Sequence, residues 1–463
     1  MNFDLPADLQ AYLQRLDTFI HDQILPLQHK DDNNRFFDYR RESSRTQWDN
    51  GGLPTDEWER LLHQARQLAD EAGFYRFPFP KEYGGSGSEQ QNLYMCAIRY
   101  HLASHPVYGG GLSLANDLQN EHSVVGNNPI IIMLYHYGTP EQRDQYIPAS
   151  IKGQFRATFG LTEIQHGSDA THMDTTATPI TLPTGEPGYE INGNKKWQTG
   201  MHSATHCLVF ARTSGKNGSA QGITAFIVPR DTPGVIVDSF QWTLNMPTDH
   251  ATVFFEKVQV PASAVLGPVD NGLAIAQTFT HENRIRQASS SCGAARFCVD
   301  RSVEYAKKRT VFGKPLSSHQ AIQWPLVELS TQAEMLRLLI LRTAVEMDQV
   351  TAACKVSGKV PWIAIERQLG HKISMCNYYA NRLATEAADR AIQIHGGNGY
   401  SRNYPFEHIW RHFRRYRITE GSEEVQIRKV AAYLFGYKTT GEGGDQKGTE
   451  KDEAAWRKSE AKL

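Results

Sequence analysis

An acidic residue on a turn before a short helix is the first candidate for chemistry in this chain. Glu420 is followed by Gly421, which lets the chain bend sharply beside the carboxylate, and by Ser422, a frequent N-cap. The apolar residues that follow, as far as Leu434, recur at helical spacing. A carboxylate at a helix entry can act as a general base, and it can equally be a capping group on a surface turn. The segment alone leaves both interpretations open.

Four other segments carry glycine, hydroxyl, aromatic or basic residues in combinations that suit a phosphate or a ring edge. Residues 159–169 end in a Gly-Ser-Asp turn, and residues 195–200 place Trp197 two positions before Thr199, on the same strand face. Residues 305–321 and 393–400 add an arginine, a histidine and a glycine-rich turn. Each segment by itself also fits a purely structural role.

The elements that must position these segments follow from the spacing of apolar residues. Residues 1–154 have helical periodicity apart from a charged loop at 29–52, and residues 155–268 change to the two-residue period of strands, with Asn192-Gly193 as a predicted hairpin turn. Residues 269–437 predict four long helices, at about 270–307, 319–353, 362–396 and 422–436, which favours a bundle. A polar tail, 438–463, follows.

Composition excludes several classes of function. The 463 residues carry a net charge of -1, so no overall field attracts nucleic acid or an acidic membrane. The six cysteines are scattered without a C-x-x-C pair, which argues against a zinc site or a disulfide framework, and we predict no metal site. We also expect no membrane span, since no apolar run approaches about 18 residues. The last three residues, Ala461-Lys462-Leu463, resemble a peroxisomal import signal, with the cytoplasm as the alternative location.

Taken together and in this order, the segments at 159–169, 195–200, 309–320 and 393–399 resemble the acyl-CoA dehydrogenase family of flavoproteins, over about residues 70 to 436. The resemblance implies an α+β multidomain fold with an N-terminal helical domain, a central β-barrel and a C-terminal four-helix bundle. It also implies FAD as cofactor, an acyl-CoA substrate and oxidoreductase chemistry on a CH-CH bond.

Site residues are carried over from the family position by position. The resemblance implies a first group that holds the flavin, a second group that completes the FAD site from a neighbouring subunit, and a third group near the substrate. A homodimer or homotetramer is therefore expected. The first group is Phe159, Leu161, Thr162, Ser168, Trp197 and Thr199; the second is Arg309, Phe312, His319, Gln320, Gln393 and Gly397, with Ser422 and Glu424 also near the cofactor; the third is Ser168, Arg284 and Gly421.

Glu420 coincides with the family's catalytic base, which removes the α-proton of the thioester while the β-hydrogen leaves as hydride to the flavin. Some branches place the base before an arginine on a helix, and Asn283 stands there, before Arg284. An amide cannot act as a base, so the sequence favours Glu420. His281 departs from the acid that many members carry near the CoA chain.

Two alternatives remain. An acyl-CoA oxidase would share the base and return electrons to oxygen, whereas a dehydrogenase would use an electron-transfer flavoprotein; the sequence does not identify the acceptor. A flavin-holding relative that binds nucleic acid would use the basic, aromatic run at 411–417. The neutral overall charge argues against nucleic acid as a partner.

Overall fold

The computed structural model describes residues 4–436 except Gly87, Glu89 and residues 118–121. The predicted polar tail and Ala461-Lys462-Leu463 lie outside the described residues. No helix in the described part of the chain has both the length and the apolar character needed to span a bilayer.

The chain begins with helices, which surround their own apolar core. Leu16, Trp58 and Ile98 are among the fully buried side chains of this core. The charged segment at 29–52 is not a loop throughout, because it forms short 3-10 turns and one two-residue strand, Thr46–Gln47. The elements of this part are α1 Ala7–Phe19, α2 Leu25–His29, β1 Thr46–Gln47, β2 Leu53–Pro54, α3 Asp56–Glu71, α4 Gln91–Ser104, β3 Asn116–Asp117, β4 His122–Ser123, α5 Pro129–Tyr137 and α6 Pro140–Ile151.

Eight strands of the middle part form one sheet. They are β5 Ala157–Gly160, β6 Thr176–Thr181, β7 Pro187–Thr199, β8 His206–Arg212, β9 Ile223–Pro229, β10 Val235–Phe240, β11 His250–Pro261 and β12 Val265–Leu266. Their order is β10-β11-β7-β6-β8-β9-β12, with β5 pairing β8 in parallel. Both faces are buried: along β8, Leu208 and Phe210 pack on the helical side, while Cys207 and Val209 pack in a second core.

The hairpin turn predicted at Asn192-Gly193 is wrong, because β7 runs straight through these residues. The register against β11 shifts at this point, and the Asn192 side chain accepts a hydrogen bond from Lys257 N at 2.8 Å. The pair is therefore a bulge in a long strand. The chain reverses earlier, where Gly185 N donates to Leu182 O at 2.8 Å between β6 and β7.

Long helices return after the sheet and share one core, in which Ile285, Ile373 and Phe413 are fully buried. The predicted helices agree closely with the observed ones, but helix α11 is an addition. The elements are α7 Gly272–Lys308, β13 Thr310–Val311, β14 Lys314–Pro315, α8 Gln320–Val356, α9 Trp362–His395, α10 Gly397–Tyr400, α11 Phe406–Tyr416 and α12 Glu423–Phe435. The fold class is confirmed, with helical N- and C-terminal parts around a central sheet. The domain boundaries at 154/155 and 268/269 stay predictions.

Candidate active site

Glu420 lies on the turn between α11 and α12, and its backbone carbonyl accepts hydrogen bonds from Arg284 of α7. Its φ is +57°, a conformation that costs energy for a residue with a side chain. Arg284 donates from Nε and Nη2 to Glu420 O, at 2.8 and 2.5 Å. Gly421 follows with φ +85°, and a Cβ there would lie 2.7 Å from Arg284 Nη2. Only glycine fits this turn without displacing the guanidinium.

The Glu420 carboxylate stands at the end of a directed chain of hydrogen bonds. Arg286 Nη1 donates to Asn127 Oδ1 at 2.7 Å, Asn127 Nδ2 donates to Asn283 Oδ1 at 3.2 Å, and Asn283 Nδ2 donates to Glu420 Oε1 at 2.9 Å. Because a guanidinium only donates, it fixes the orientation of both amides. Asn283 must then present its NH₂ group to the carboxylate.

Sequence reasoning named Asn283 only as a residue unable to act as a base, and it missed Asn127 and Arg286. The one local signal for Arg286 was its spacing of four residues from Glu282 on α7, to which it donates from Nη2. Nothing local places Asn127, which is 156 positions from Asn283.

A partly buried polar cluster joins α7, α9 and α12 around the Glu420 turn. His281 of α7 donates from Nε2 to Glu366 of α9 at 2.6 Å, and Lys429 of α12 lies 2.7 Å from the same carboxylate. Burial raises the pKa of Glu366, but the His281 hydrogen bond and the Lys429 charge outweigh it and lower that pKa to about 2. Burial lowers the pKa of His281, which remains a neutral donor. The unexpected histidine thus has a structural partner.

The entry of α12 is fixed by its own polar contacts. Ser422 is the N-cap, accepting from Val425 N. Glu423 is buried between Arg382 and Arg417, each with a nitrogen 2.9 Å from it, and the Arg417 hydrogen bond is the main reason that its pKa is lowered to about 2. Glu424, the predicted cofactor residue, is exposed on the first turn.

A cavity of about 170 Å³ lies next to Asn283, and Glu420 is not among the described residues that line it. Asn127, Arg286, His412 and Tyr416 line it together with Asn283. Burial lowers the pKa of His412 well below its usual value, so this histidine is neutral. Asn283 therefore lines this polar cavity and also donates to the Glu420 carboxylate.

The structure brings the first predicted flavin group together at neighbouring strand ends. Phe159 is on β5, and Leu161 and Thr162 follow it. Thr162 O accepts from the backbone N of Lys196, next to Trp197 on β7, at 2.9 Å. Trp197 is 47% exposed with φ +63°, and the exposed Thr199 hydroxyl lies 2.9 Å from His250 Nδ1. Ser168 is exposed on the loop after Thr162. An open aromatic plate beside exposed hydroxyls fits a flavin ring, and these residues would hold it.

A buried ion pair between Lys195 and Glu163 holds the loop that follows β5 and carries Leu161, Thr162 and Ser168. Lys195 Nζ lies 2.8 Å from Glu163 Oε1, and it also donates to Leu161 O at 3.3 Å. Glu163 further accepts from the backbone N of Asp174 and of Thr175, at 2.7 and 2.9 Å. Sequence reasoning missed both charged residues, because their pairing joins positions 32 apart.

The second predicted cofactor group lies at the C-terminal ends of α7 and α9 and at the start of α8. Arg309 ends α7, Phe312 is 96% exposed at the tip of the β13-β14 hairpin, and His319 and Gln320 begin α8. Tyr305 ties this end of α7 to the Gln393–Gly397 segment, since its OH donates to His395 O at 3.3 Å. No hydrogen bond or ring contact between described residues joins this group to the Trp197 group. Arg309, Phe312, Gln320, Gln393 and Gly397 are all exposed.

The basic run at 411–417 belongs to α11 and is engaged within the protein. Arg411 pairs with Glu407 at 2.7 Å and donates to Leu244 O, while His412 and Phe413 are fully buried. These contacts favour a packing role over a nucleic-acid surface.

Comparison with known proteins identifies the family of this fold. Models of the acyl-CoA dehydrogenase N-terminal, middle and C-terminal domains match residues 30–154, 158–258 and 270–435. An acyl-CoA dehydrogenase of Bacillus subtilis is 32% identical over 365 residues, covering 79% of this chain and 87% of that protein. The caffeyl-CoA reductase-Etf complex subunit CarC of Acetobacterium woodii is 30% identical over 384 residues, covering 82% and 92%. The structure of butyryl-CoA dehydrogenase from Megasphaera elsdenii superposes with a TM-score of 0.71 at 26% identity, covering 94% of this chain and all of that one.

The fold and the flavin-type rim define an FAD-dependent oxidoreductase. The chain belongs to the acyl-CoA dehydrogenase family.

Proposed function

We propose that this protein removes the α-proton and β-hydride of an acyl-CoA thioester, forming a trans-2-enoyl-CoA, with Glu420 as the base. The observation that carries the proposal is the contact between Glu420 and Asn283. The amide orients the carboxylate and cannot take a proton itself, so Glu420 is the one base of this pair.

The chain's own residues hold the base and its surroundings. Arg284 and Gly421 fix the backbone of the turn, so the carboxylate is positioned before the substrate arrives. FAD, when bound, supplies the acceptor for the β-hydride. Trp197 and Thr199 would cover and hydrogen-bond its ring.

Replacing Glu420 by glutamine tests the assignment directly. The variant should bind FAD and stay yellow, because Glu420 is outside the Trp197 rim. Anaerobic bleaching of the flavin by acyl-CoA should slow by about 10²- to 10⁴-fold, which is the usual contribution of a general base. Glu386→Gln, an exposed carboxylate of α9, is the matched control and should bleach normally. Normal bleaching in Glu420→Gln would move the base elsewhere.

The electron acceptor separates the dehydrogenase from the oxidase alternative. The Acetobacterium relative is named as part of a complex with an electron-transfer flavoprotein, which favours such a partner here. That relative is also named a reductase, so we propose that the reverse reaction, reduction of an enoyl-CoA, takes place when reduced partner is supplied. Mixing reduced enzyme with oxygen and measuring peroxide distinguishes the cases. Peroxide at the rate of turnover would favour the oxidase.

The exposure of the second cofactor group supports the proposal of a homodimer or homotetramer. Helix α8 also presents apolar side chains to solvent on one face, within an arc of about 80° at 100° per residue. A second copy would cover this face and bring Arg309 to the flavin rim. Sedimentation should therefore show a dimer or tetramer. The apolar residues are Trp324, Val327, Met335, Leu338 and Val345.

Peroxisomal location rests only on the final tripeptide, Ala461-Lys462-Leu463, and the two relatives named above are bacterial. Deleting the tripeptide from a fluorescently tagged protein in a eukaryotic cell should redistribute the signal out of peroxisomes. An unchanged distribution removes the proposal.

A further inference from the structure

His250 contacts both of the side chains that are expected to hold the flavin ring. It begins β11 and lies directly opposite Thr199, the last residue of β7. Its Nδ1 is 2.9 Å from the Thr199 hydroxyl oxygen, and its ring stands edge to face against Trp197, with the ring centroids 6.3 Å apart and the planes at 74°. His250 itself lies outside the four segments that carry the flavin-type residues.

The strands on either side fix the position of this imidazole. Gln241 N donates to His250 O at 2.8 Å, and Gly200 N donates to Asp249 O at 3.0 Å. The His250 side chain is 12% exposed, although Thr199 beside it is exposed. A ring that is largely buried between paired strands has little freedom to rotate, which suits a supporting role.

A neighbouring carboxylate determines the direction of the hydrogen bond between His250 and Thr199. Asp249 Oδ1 lies 3.2 Å from His250 Nδ1. A carboxylate oxygen only accepts, and a lone pair on Nδ1 would face its negative charge at close range. The nitrogen that carries the hydrogen in a histidine is set by such partners. Nδ1 therefore carries a hydrogen and donates it to Thr199 Oγ1.

This direction leaves the hydroxyl hydrogen of Thr199 free. A hydroxyl has one hydrogen to donate, and the contact with His250 is the one hydrogen bond of this hydroxyl among the residues that the structure describes. If His250 accepted from Thr199 instead, that hydrogen would be used within the protein. With Nδ1 as the donor, the hydrogen is available to a ring nitrogen of oxidised FAD.

We propose that His250 is a positioning residue for the cofactor: by donating from Nδ1 to Thr199 Oγ1, it presents the Thr199 hydrogen to the flavin ring, and Asp249 sets the tautomer. This inference rests on the proposed contact of Thr199 with the ring and adds the two residues behind it. The ring nitrogen that takes the hydride accepts a hydrogen bond only while FAD is oxidised, because it carries its own hydrogen afterwards. The Thr199 hydrogen therefore stabilises oxidised FAD and lowers its midpoint potential.

The test measures the midpoint potential of FAD bound to the full chain, by dye-coupled anaerobic reduction without acyl-CoA. Thr199→Val should raise the potential by about 15–30 mV, a three- to tenfold change in the two-electron equilibrium, because one hydrogen bond is lost. His250→Leu should raise it in the same direction. His250→Asn should keep it near the wild-type value, since the asparagine NH₂ group can donate where Nδ1 does. His21→Leu, at a histidine whose side chain is 81% exposed, is the control and should leave the potential unchanged.

A double variant shows whether His250 acts through Thr199. In the Thr199→Val background, His250→Leu should cause no further shift. An equal shift in both backgrounds overturns the inference. An unchanged potential in His250→Leu also overturns it, and the ring contact of Thr199 stands if Thr199→Val still shifts the potential. No shift in Thr199→Val removes that contact together with the inference, while the proposed base chemistry at Glu420 is tested separately by flavin bleaching.

A change at Asp249 tests the same inference with the imidazole left in place. In Asp249→Ala no carboxylate opposes a lone pair on His250 Nδ1, so Nδ1 can accept from Thr199 and the potential should rise toward that of Thr199→Val. This variant decides the question if His250→Leu fails to retain FAD. An unchanged potential in Asp249→Ala would then overturn the inference.

Discussion

The hydrogen bond from Asn283 to Glu420 gives the sharpest test of the proposed role of this carboxylate as the base. In Asn283→Ala the carboxylate loses its 2.9 Å contact with Nδ2, while the backbone contacts from Arg284 remain. A hydrogen bond to a charged group contributes about 1.5–3 kcal/mol. At about 1.4 kcal/mol per factor of ten, flavin reduction should slow by roughly 10- to 150-fold.

The assay is anaerobic stopped-flow bleaching of the flavin by acyl-CoA as a function of pH. The Asn283 amide favours the charged form of the carboxylate, so its removal should move the acidic limb of the rate profile to higher pH. Asn127→Ala should act in the same direction with a smaller effect, because it only loosens the amide. Ser290→Ala, which changes the same cavity lining without touching Glu420, is the control.

An unchanged rate and pH profile in a correctly folded Asn283→Ala variant would contradict this prediction. If Asn283→Ala binds FAD, melts near the wild-type temperature and keeps both the rate and the acidic limb, then Asn283 does not orient the reactive carboxylate. A loss of rate with no movement of the limb would assign Asn283 to substrate positioning instead.

Three further predictions concern the supports of the site. Gly421→Ala should slow flavin reduction at least tenfold with FAD still bound, because the new methyl group displaces the Arg284 guanidinium; absorbance and stopped-flow rates measure both. Lys195→Met should destabilise the protein by about 3–5 kcal/mol and weaken FAD retention, since it leaves the Glu163 carboxylate buried without its ion-pair partner; thermal unfolding of the apo and FAD-bound forms reports each effect. The pKa of Glu366 is about 2 in the folded state, against 4.5 ordinarily, so its stabilisation is present above about pH 4.5 and is lost as pH falls toward 2. The free energy of unfolding should therefore depend less steeply on pH between about 2 and 4.5 in Glu366→Gln than in the wild type.

The long helices could be predicted from sequence because apolar spacing persists over many turns. Helix α11 was overlooked, since Arg411 and its neighbours were interpreted by charge, although Ile409 and Phe413 are buried at helical spacing. The error at Asn192-Gly193 has a different cause. An Asn-Gly pair favours positive φ, which a bulge uses as readily as a turn, and only the pairing with β11 decides between them.

The site shows where sequence reasoning ends. Glu420 and Asn283 could each be singled out by position, but their contact joins residues 137 positions apart, and no local pattern predicts that Asn283 donates a hydrogen bond to Glu420. The cavity shows the same limit more strongly. Arg66, Arg99 and Arg286 come from three helices, and each is an ordinary charged residue within its own helix. They line one cavity because of the way these helices pack, and no local pattern in the sequence indicates that packing.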